Sequence, residues 1–184
     1  MREPVVEIGE RELELPLLPM ELAPLYAYWL NKRGDHLMPS RDDVDPVDLR
    51  SVIARVSLVQ VNPAVPRFTL RVWGPSDVTR LHGPRCWGHV SDVKPTIYSR
   101  MTARHYELAI ERGAPVLHDI VLTHEDLRFH YRRISLPLAT DHQRTDMLLL
   151  GSIFDHREQL RFFDVYEQAL ANHSKTGAVA LTTH

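Results

Sequence analysis

Short segments in which apolar and polar residues alternate run through the middle and later parts of the chain, and this pattern predicts β-strands. The clearest is residues 67–73, where apolar Phe68, Leu70 and Val72 are separated by polar residues. Residues 147–150 are apolar without alternation, which predicts a central strand buried on both faces. The strands predicted in this way are residues 56–61, 67–73, 116–123, 129–138 and 147–154.

Apolar residues that recur every three to four positions predict helices before, between and after these strands. The longest predicted helix covers residues 96–112 and ends at Gly113, a residue type common just after helices. Asp45 is placed to cap a short helix at residues 45–53, with Pro46 at its first helical position. The other predicted helices are residues 21–32, whose apolar stripe includes Tyr26, Trp29 and Leu30, and residues 155–172.

The order of these elements predicts the fold class. Two strands come first, followed by an irregular segment, one long helix and three more strands. This order predicts an α+β fold in which a five-stranded antiparallel sheet has flanking helices and a cavity against one face. The predicted divisions are an N-terminal arm at residues 1–20, a helical extension at 21–55, a sheet domain at 56–157, and a C-terminal helix and tail at 158–184.

Composition narrows the class of protein and the compartment. The chain has 184 residues, a net charge of −2 and one cysteine, Cys86. One cysteine excludes an internal disulfide and suits a reducing compartment. The balanced charge argues against a nucleic-acid partner. No apolar run approaches the ~20 residues of a membrane span, and the N-terminus lacks the pattern of a signal peptide. We therefore expect a soluble, cytoplasmic protein with no nucleic-acid or membrane partner.

Three segments carry a resemblance to a known family. Trp29 followed by Arg33-Gly34, and then residues 37–46 (LMPSRDDVDP) and 68–74 (FTLRVWG), resemble PAS_5-type PAS-domain proteins, which are common in alphaproteobacteria. The resemblance covers about residues 22–155. It implies a PAS-like five-stranded sheet and a sensory or protein-interaction role, and it supplies no established ligand or reaction.

The predicted cavity has six candidate ligand-binding residues. Met101, His105 and Leu108 share one stripe of the helix at residues 96–112. The others are Cys86 and Trp87 from the irregular segment and Tyr131 from the strand at 129–138. The predicted walls are mainly apolar, as in many small-molecule sites, and His105 is expected to supply the directional hydrogen bond. The sequence does not identify a cofactor, which is therefore unknown.

The pair Arg132-Arg133 straddles both faces of a predicted strand. One of the two is therefore placed to face the cavity and pair with an anion, although an ion pair at the surface is the commoner role.

Three cofactor hypotheses rest on single residues or short strings. His105 stands where a haem-binding PAS protein would place an axial ligand, but a histidine bonded to the backbone is the commoner case. The segment around Cys86 shares only the cysteine with the motif of flavin-binding photosensors. A role as a small buried apolar residue is therefore preferred for Cys86. His82, Cys86 and His89, with Asp92 as a fourth group, match zinc ligands in type but not in spacing, which favours an ordinary surface loop.

Enzyme motifs are absent from the sequence, including GxSxG, GxxxxGKS and GxGxxG. The main hypothesis is a non-enzymatic sensory or regulatory module that binds a small ligand, a partner protein, or both. Its output is expected through association with another protein, and a homodimer is expected through the stripe of Tyr26, Trp29 and Leu30. The alternatives are a constitutive scaffold with a filled core and a haem-dependent redox or gas sensor that uses His105.

Overall fold

Three helices surround a seven-stranded sheet in the computed structural model, which describes residues 3–72 and 88–179. The strands are β1 (Glu7–Leu13), β2 (Val56–Val61), β3 (Phe68–Val72), β4 (Gly88–His89), β5 (Val116–His124), β6 (Leu127–Leu138) and β7 (Met147–Phe154). The helices are α1 (Ala23–Arg33), α2 (Thr96–Arg112) and α3 (His156–Val179).

All neighbouring strands are antiparallel, and their order across the sheet is β1-β5-β6-β7-β2-β3-β4. The central strand is β7, and its residues Leu148, Leu149 and Leu150 are all buried. Leu149 packs on one face of the sheet, and Leu148 and Leu150 pack on the other. The prediction of a central strand covered on both faces is therefore confirmed.

The α+β class is confirmed, but the sheet has seven strands among the described residues, where five were predicted. All five predicted strands are present, and the two additional strands are β1 and β4. β1 pairs with β5 over its whole length, from Glu7 opposite Thr123 to Leu13 opposite Leu117. Its sequence, EIGEREL, is mostly charged and exposed, so the strand is held by backbone bonds rather than by an apolar face.

One face of the sheet is covered by α1 and the segments beside it. Leu25 and Trp29 of α1 are buried together with Leu149. The indole Nε1 of Trp29 donates a hydrogen bond to the carbonyl oxygen of Pro137 at 2.8 Å. The stripe that was expected to form a dimer surface is therefore largely used inside this chain, although Leu30 remains 37% exposed.

The prediction of a short helix at residues 45–53 is wrong. Residues 46–52 form consecutive turns, and a 3-10 helix follows at Ile53–Arg55. The backbone N–H of Val52 donates to the carbonyl of Leu49, three residues earlier, as in a turn. Leu49 and Val52 are both buried, so turns already place the apolar residues of this segment in the core without an α-helix.

The N-terminal arm is attached along α2 by three carboxylates. Glu3 accepts hydrogen bonds from the backbone N–H and the hydroxyl of Thr96, at the first turn of α2. Glu10 and Glu12, both in β1, form ion pairs with Arg104 and Arg112 in the middle and at the end of the same helix. The arm therefore belongs to the folded domain.

Gly151 of β7 allows α1 to approach the sheet closely. A Cβ atom at this position would lie 2.5 Å from Cδ2 of Leu25, closer than packed atoms allow, and 3.2 Å from Cγ2 of Ile134, which is a tight contact. We expect Gly151→Ala to lower the free energy of unfolding by about 1–3 kcal/mol, the usual cost of overpacking a core. Urea denaturation of the purified variant measures this change.

Gly9→Ala in β1 is the matched control. A Cβ atom there would meet only Cβ of Val121, at 4.0 Å. This variant is expected to unfold at the wild-type urea midpoint or above it, because alanine at an unstrained position restricts the unfolded chain. Equal stabilities for the two variants would contradict the close approach of α1 at Gly151.

Candidate functional site

A cavity of about 330 Å³ lies between the sheet and the helices α2 and α3. Most of its walls are aromatic or aliphatic, which suits a small organic molecule. The aromatic residues come from α2, β6, β7 and α3, and they are Tyr98, Tyr106, Phe129, Tyr131, Phe154, Phe163 and Tyr166.

Arg133 brings a charge into this apolar site from β6. Its side chain is buried, with 3% of the residue exposed. The guanidinium carbon lies 5.0 Å from the ring centre of Tyr106 and 5.8 Å from that of Tyr131, which are cation–π distances. Among the described residues, no carboxylate forms an ion pair with Arg133, and its Nε atom has no hydrogen-bond partner.

A hydrogen bond between Arg133 and His105 fixes the protonation of the imidazole. Nη2 of Arg133 lies 3.0 Å from Nδ1 of His105, and Nε2 of His105 lies 2.9 Å from a carboxylate oxygen of Glu10. A guanidinium only donates hydrogen bonds, so Nδ1 must accept and the proton must be on Nε2, where it is donated to Glu10. The geometry therefore requires a neutral imidazole.

The surroundings of His105 keep it neutral. Burial is the main cause that lowers its pKa to about 2, and the positive charge of Arg133 and the neighbouring His118 lower it further. His118 of β5 stacks on His105 with ring centres 3.5 Å apart. Burial, followed by Arg133, also lowers the pKa of His118, to about 4.

Several other polar atoms in the cavity walls are buried and unpaired. The hydroxyl groups of Thr102, Tyr131 and Tyr166 have no hydrogen-bond partner within the described parts of the chain. Burial raises the pKa of the Tyr166 phenol to about 12, and it also raises the pKa of Tyr131 well above its usual value. Both phenols therefore stay protonated and can donate a hydrogen bond. Buried polar groups normally find partners, so this cluster indicates a site for a ligand or for water.

The family model described as PAS domain matches residues 18–154, which is most of the chain. The chain belongs to the PAS domain family. PAS domains are generally sensory modules without catalytic activity, and they often mediate dimerisation or bind partner proteins. A search of curated proteins and a search of solved structures each gave no significant match.

The residues that sequence analysis selected in this PAS domain do not all meet in one place. Tyr131 lines the cavity. Met101 is buried among aromatic residues of β6 and α3, while His105 and Leu108 border a shallow depression beside β1 and do not line the cavity. Cys86 and Trp87 lie outside the described residues. A role in ligand binding stays a prediction for all six residues.

Arg133 is not among the predicted ligand-binding residues, although the alternation of the pair Arg132-Arg133 indicates that one of the two faces the cavity. Arg132 faces away from the cavity and pairs with Asp119 at 2.9 Å. Arg133, one residue later, points to the opposite face and lines the cavity. Thr102 and Tyr166 carried no signal of their own, because their position depends on how α2 and α3 pack on the sheet.

The geometry argues against metal binding by His105, because both of its ring nitrogens are engaged by Arg133 and Glu10. No cluster of three or more histidine, cysteine, aspartate or glutamate side chains is found in the part of the chain that the structure describes. In the string of His82, Cys86 and His89, Nδ1 of His89 lies 3.2 Å from the hydroxyl of Thr69, whereas His82 and Cys86 lie outside the described residues. Within the described ranges, no helix is both long and apolar enough to cross a membrane.

The neutral state of His105 predicts that acid weakens the fold. In the unfolded chain an imidazole takes up a proton near pH 6.5, but His105 in the folded protein does so only near pH 2. Its contribution to stability is therefore complete above pH 6.5 and is lost as the pH falls. Between pH 7 and pH 5, we expect protonation of His105 in the unfolded chain to lower the free energy of unfolding by about 2 kcal/mol. Urea titrations at several pH values measure the slope.

His105→Gln tests this assignment, because an amide can accept from Arg133 and donate to Glu10 without titrating. This variant should lose much less stability than wild type between pH 7 and pH 5, with His118 supplying the remaining slope. His173→Gln, at an exposed position of α3, is the control and should keep the wild-type slope. An unchanged slope in His105→Gln would show that the pKa of His105 is the same in the folded and unfolded states.

Proposed function

We propose that this PAS domain is a non-enzymatic sensory or regulatory module that binds a small molecule in the cavity between the sheet, α2 and α3. The observation that carries the proposal is the cavity itself, with a buried charge and unpaired hydroxyl groups in otherwise apolar walls. Its volume of about 330 Å³ lies within the range of small-molecule sites.

The main alternative is a constitutive scaffold whose core is filled by its own side chains. Such a core would have close packing and paired polar groups, since both features stabilise a fold. Here Arg133, Tyr131 and Thr102 are at least nine-tenths buried, and each has an unpaired polar atom. These features support a binding site over a filled core.

The second alternative, a haem sensor that uses His105, has less support. An axial ligand needs a free nitrogen lone pair directed at the iron. Nδ1 of His105 accepts from Arg133, and Nε2 donates to Glu10. Haem binding would have to break both contacts, and His105 does not line the cavity.

α3 is well placed to pass a change in the cavity to another protein. Gln159, Phe163 and Tyr166 line the cavity from the first half of this helix, which continues to Val179. A ligand that prefers one packing of α3 over another shifts the population between the two. We propose that the output is association, either with a partner protein that is not yet identified or with a second copy of this chain.

Filling the cavity should prevent ligand binding. Ser152 of β7 lines the cavity directly opposite Arg133 across the β6–β7 pair. We expect Ser152→Phe to occupy this space and to abolish binding of small aromatic fragments that ligand-observed NMR detects with wild type. The comparison is made on purified proteins at equal concentration.

Ser51→Phe makes the same substitution at an exposed position in a turn outside the cavity. This control should bind the same fragments as wild type. Circular dichroism establishes that both variants are folded. Fragment binding that survives in Ser152→Phe, or a complete lack of fragment binding to wild type, would contradict the proposed function.

A homodimer is the specific form of association that we predict. Light scattering should give twice the chain mass of 21.2 kDa at high protein concentration. Burial of Trp29 reduces the apolar area that α1 offers to a partner, so the exposed residues Leu30 and Leu37 are the apolar positions to substitute first. A monomer mass at every concentration would contradict the prediction.

A further inference from the structure

We infer that the cavity recognises an organic monocarboxylate with an aromatic or aliphatic body, and that Arg133, Tyr131 and Thr102 bind its carboxylate group. This inference rests on the proposed function, because it names the class of ligand for the same cavity. It follows from three observations: a buried charge without a counter-ion, unpaired donors beside it, and apolar walls around the remaining space.

The charge on Arg133 is not neutralised within the described residues. An arginine side chain stays protonated in proteins, and a buried charge is costly unless it is paired. The contacts that the structure shows for Arg133 are a neutral histidine, the side chain of Tyr98 and two aromatic rings, and none of them is a carboxylate. A bound anion would supply the missing charge.

Acidic side chains near Arg133 are engaged or exposed. Glu10, the nearest acid through His105, pairs with Arg104 at 2.7 Å. Asp92 and Glu167 border the cavity, but both are exposed and neither forms an ion pair with Arg133. Within residues 3–72 and 88–179, this position is therefore open for an external anion.

The unpaired donors suit a carboxylate. An ionised carboxylate accepts hydrogen bonds at two oxygens and donates none. Nε of Arg133 must donate, and the buried hydroxyl groups of Tyr131 and Thr102 can also donate. Bonds from a guanidinium to a carboxylate are among the stronger hydrogen bonds in proteins.

The rest of the cavity determines the body of the ligand. Tyr98, Phe129 and Phe163 provide aromatic walls, which favour an aromatic or aliphatic group. The other cation at the cavity, Lys94, is exposed and pairs with Glu3 at 2.6 Å. One unpaired positive charge matches a single carboxylate better than a dicarboxylate.

Calorimetric titration with phenylacetate, phenylacetamide and succinate tests the inference. The acid and its amide have nearly the same shape and differ in charge. We expect wild type to bind phenylacetate at least about ten times more tightly than the amide, and not to bind succinate measurably. Ten-fold corresponds to about 1.4 kcal/mol, which is modest for a charge-assisted bond.

Arg133→Met should reduce phenylacetate affinity at least ten-fold and leave the affinity for the amide within about three-fold. Arg132→Met is the matched control, because Arg132 is the adjacent residue on the opposite face and pairs with Asp119. This control should bind phenylacetate as wild type does. If Arg133→Met fails to fold, Tyr131→Phe and Thr102→Val decide the question, because each removes one hydroxyl with little change of shape and should lower acid affinity several-fold.

The outcomes separate this inference from the proposed function. Equal binding of the acid and the amide, unaffected by Arg133→Met, would overturn the inference while the cavity remains a ligand site. If fragments bind in the cavity but no carboxylate binds there, the inference is also overturned and the cavity remains a ligand site. If wild type binds neither the acids nor any fragment that Ser152→Phe excludes, both the inference and the proposed function fail.

Discussion

The buried guanidinium of Arg133 connects the main parts of this domain. Arg133 lies on β6, its Nη2 donates to His105 on α2, and His105 donates to Glu10 on β1. Since arginine cannot accept a hydrogen bond, the direction of both bonds is fixed, and so is the neutral state of the imidazole. Sheet, helix and N-terminal arm are thus joined by two contacts that share one histidine. A change at any member alters the partner available to the next.

This connection explains why the N-terminal arm is folded although its sequence is mostly charged. Its carboxylates meet α2 at three points: Glu3 at the first turn, Glu10 in the middle and Glu12 at the last turn. The pKa of Glu3 is lowered to about 2, because hydrogen bonds from Lys94 and Thr96 outweigh the effect of its burial. A carboxylate at the N-terminus of a helix is also favoured by the helix dipole. The arm therefore contributes charges to the domain, and most of the partners of its carboxylates lie on α2.

Most of the fold was predictable from local patterns, and the errors have local causes. The strands β2 and β7 and the helix α2 were predicted to the residue, because apolar periodicity and Gly113 define them. β1 was not predicted as a strand, since an edge strand held by backbone bonds needs no apolar pattern. The segment after Asp45 has helical spacing, but turns place the same residues in the core.

The cavity was harder to predict than the sheet. Helical spacing predicted that Met101 and His105 line the cavity; both are buried, but neither is among the residues that line it. It could not show that aromatic residues of α3 pack against Met101, or that β1 supplies an acceptor for His105. Both contacts join residues far apart in sequence. The alternation of β6 did separate Arg132 from Arg133, and it also placed Tyr131 on the face that lines the cavity.

Two adjacent small residues on β7 help to explain why one face of the sheet is closed and the other is hollow. Gly151 has no side chain, and Leu25 of α1 fills the space where a Cβ atom would be. Ser152 points to the opposite face, where it lies beside Arg133 and borders the cavity. Larger residues at these positions would separate α1 from the sheet on one side and fill the cavity on the other. The absence of a side chain at Gly151 therefore allows close packing and stability on one face. The small side chain of Ser152 leaves room for a ligand on the other face.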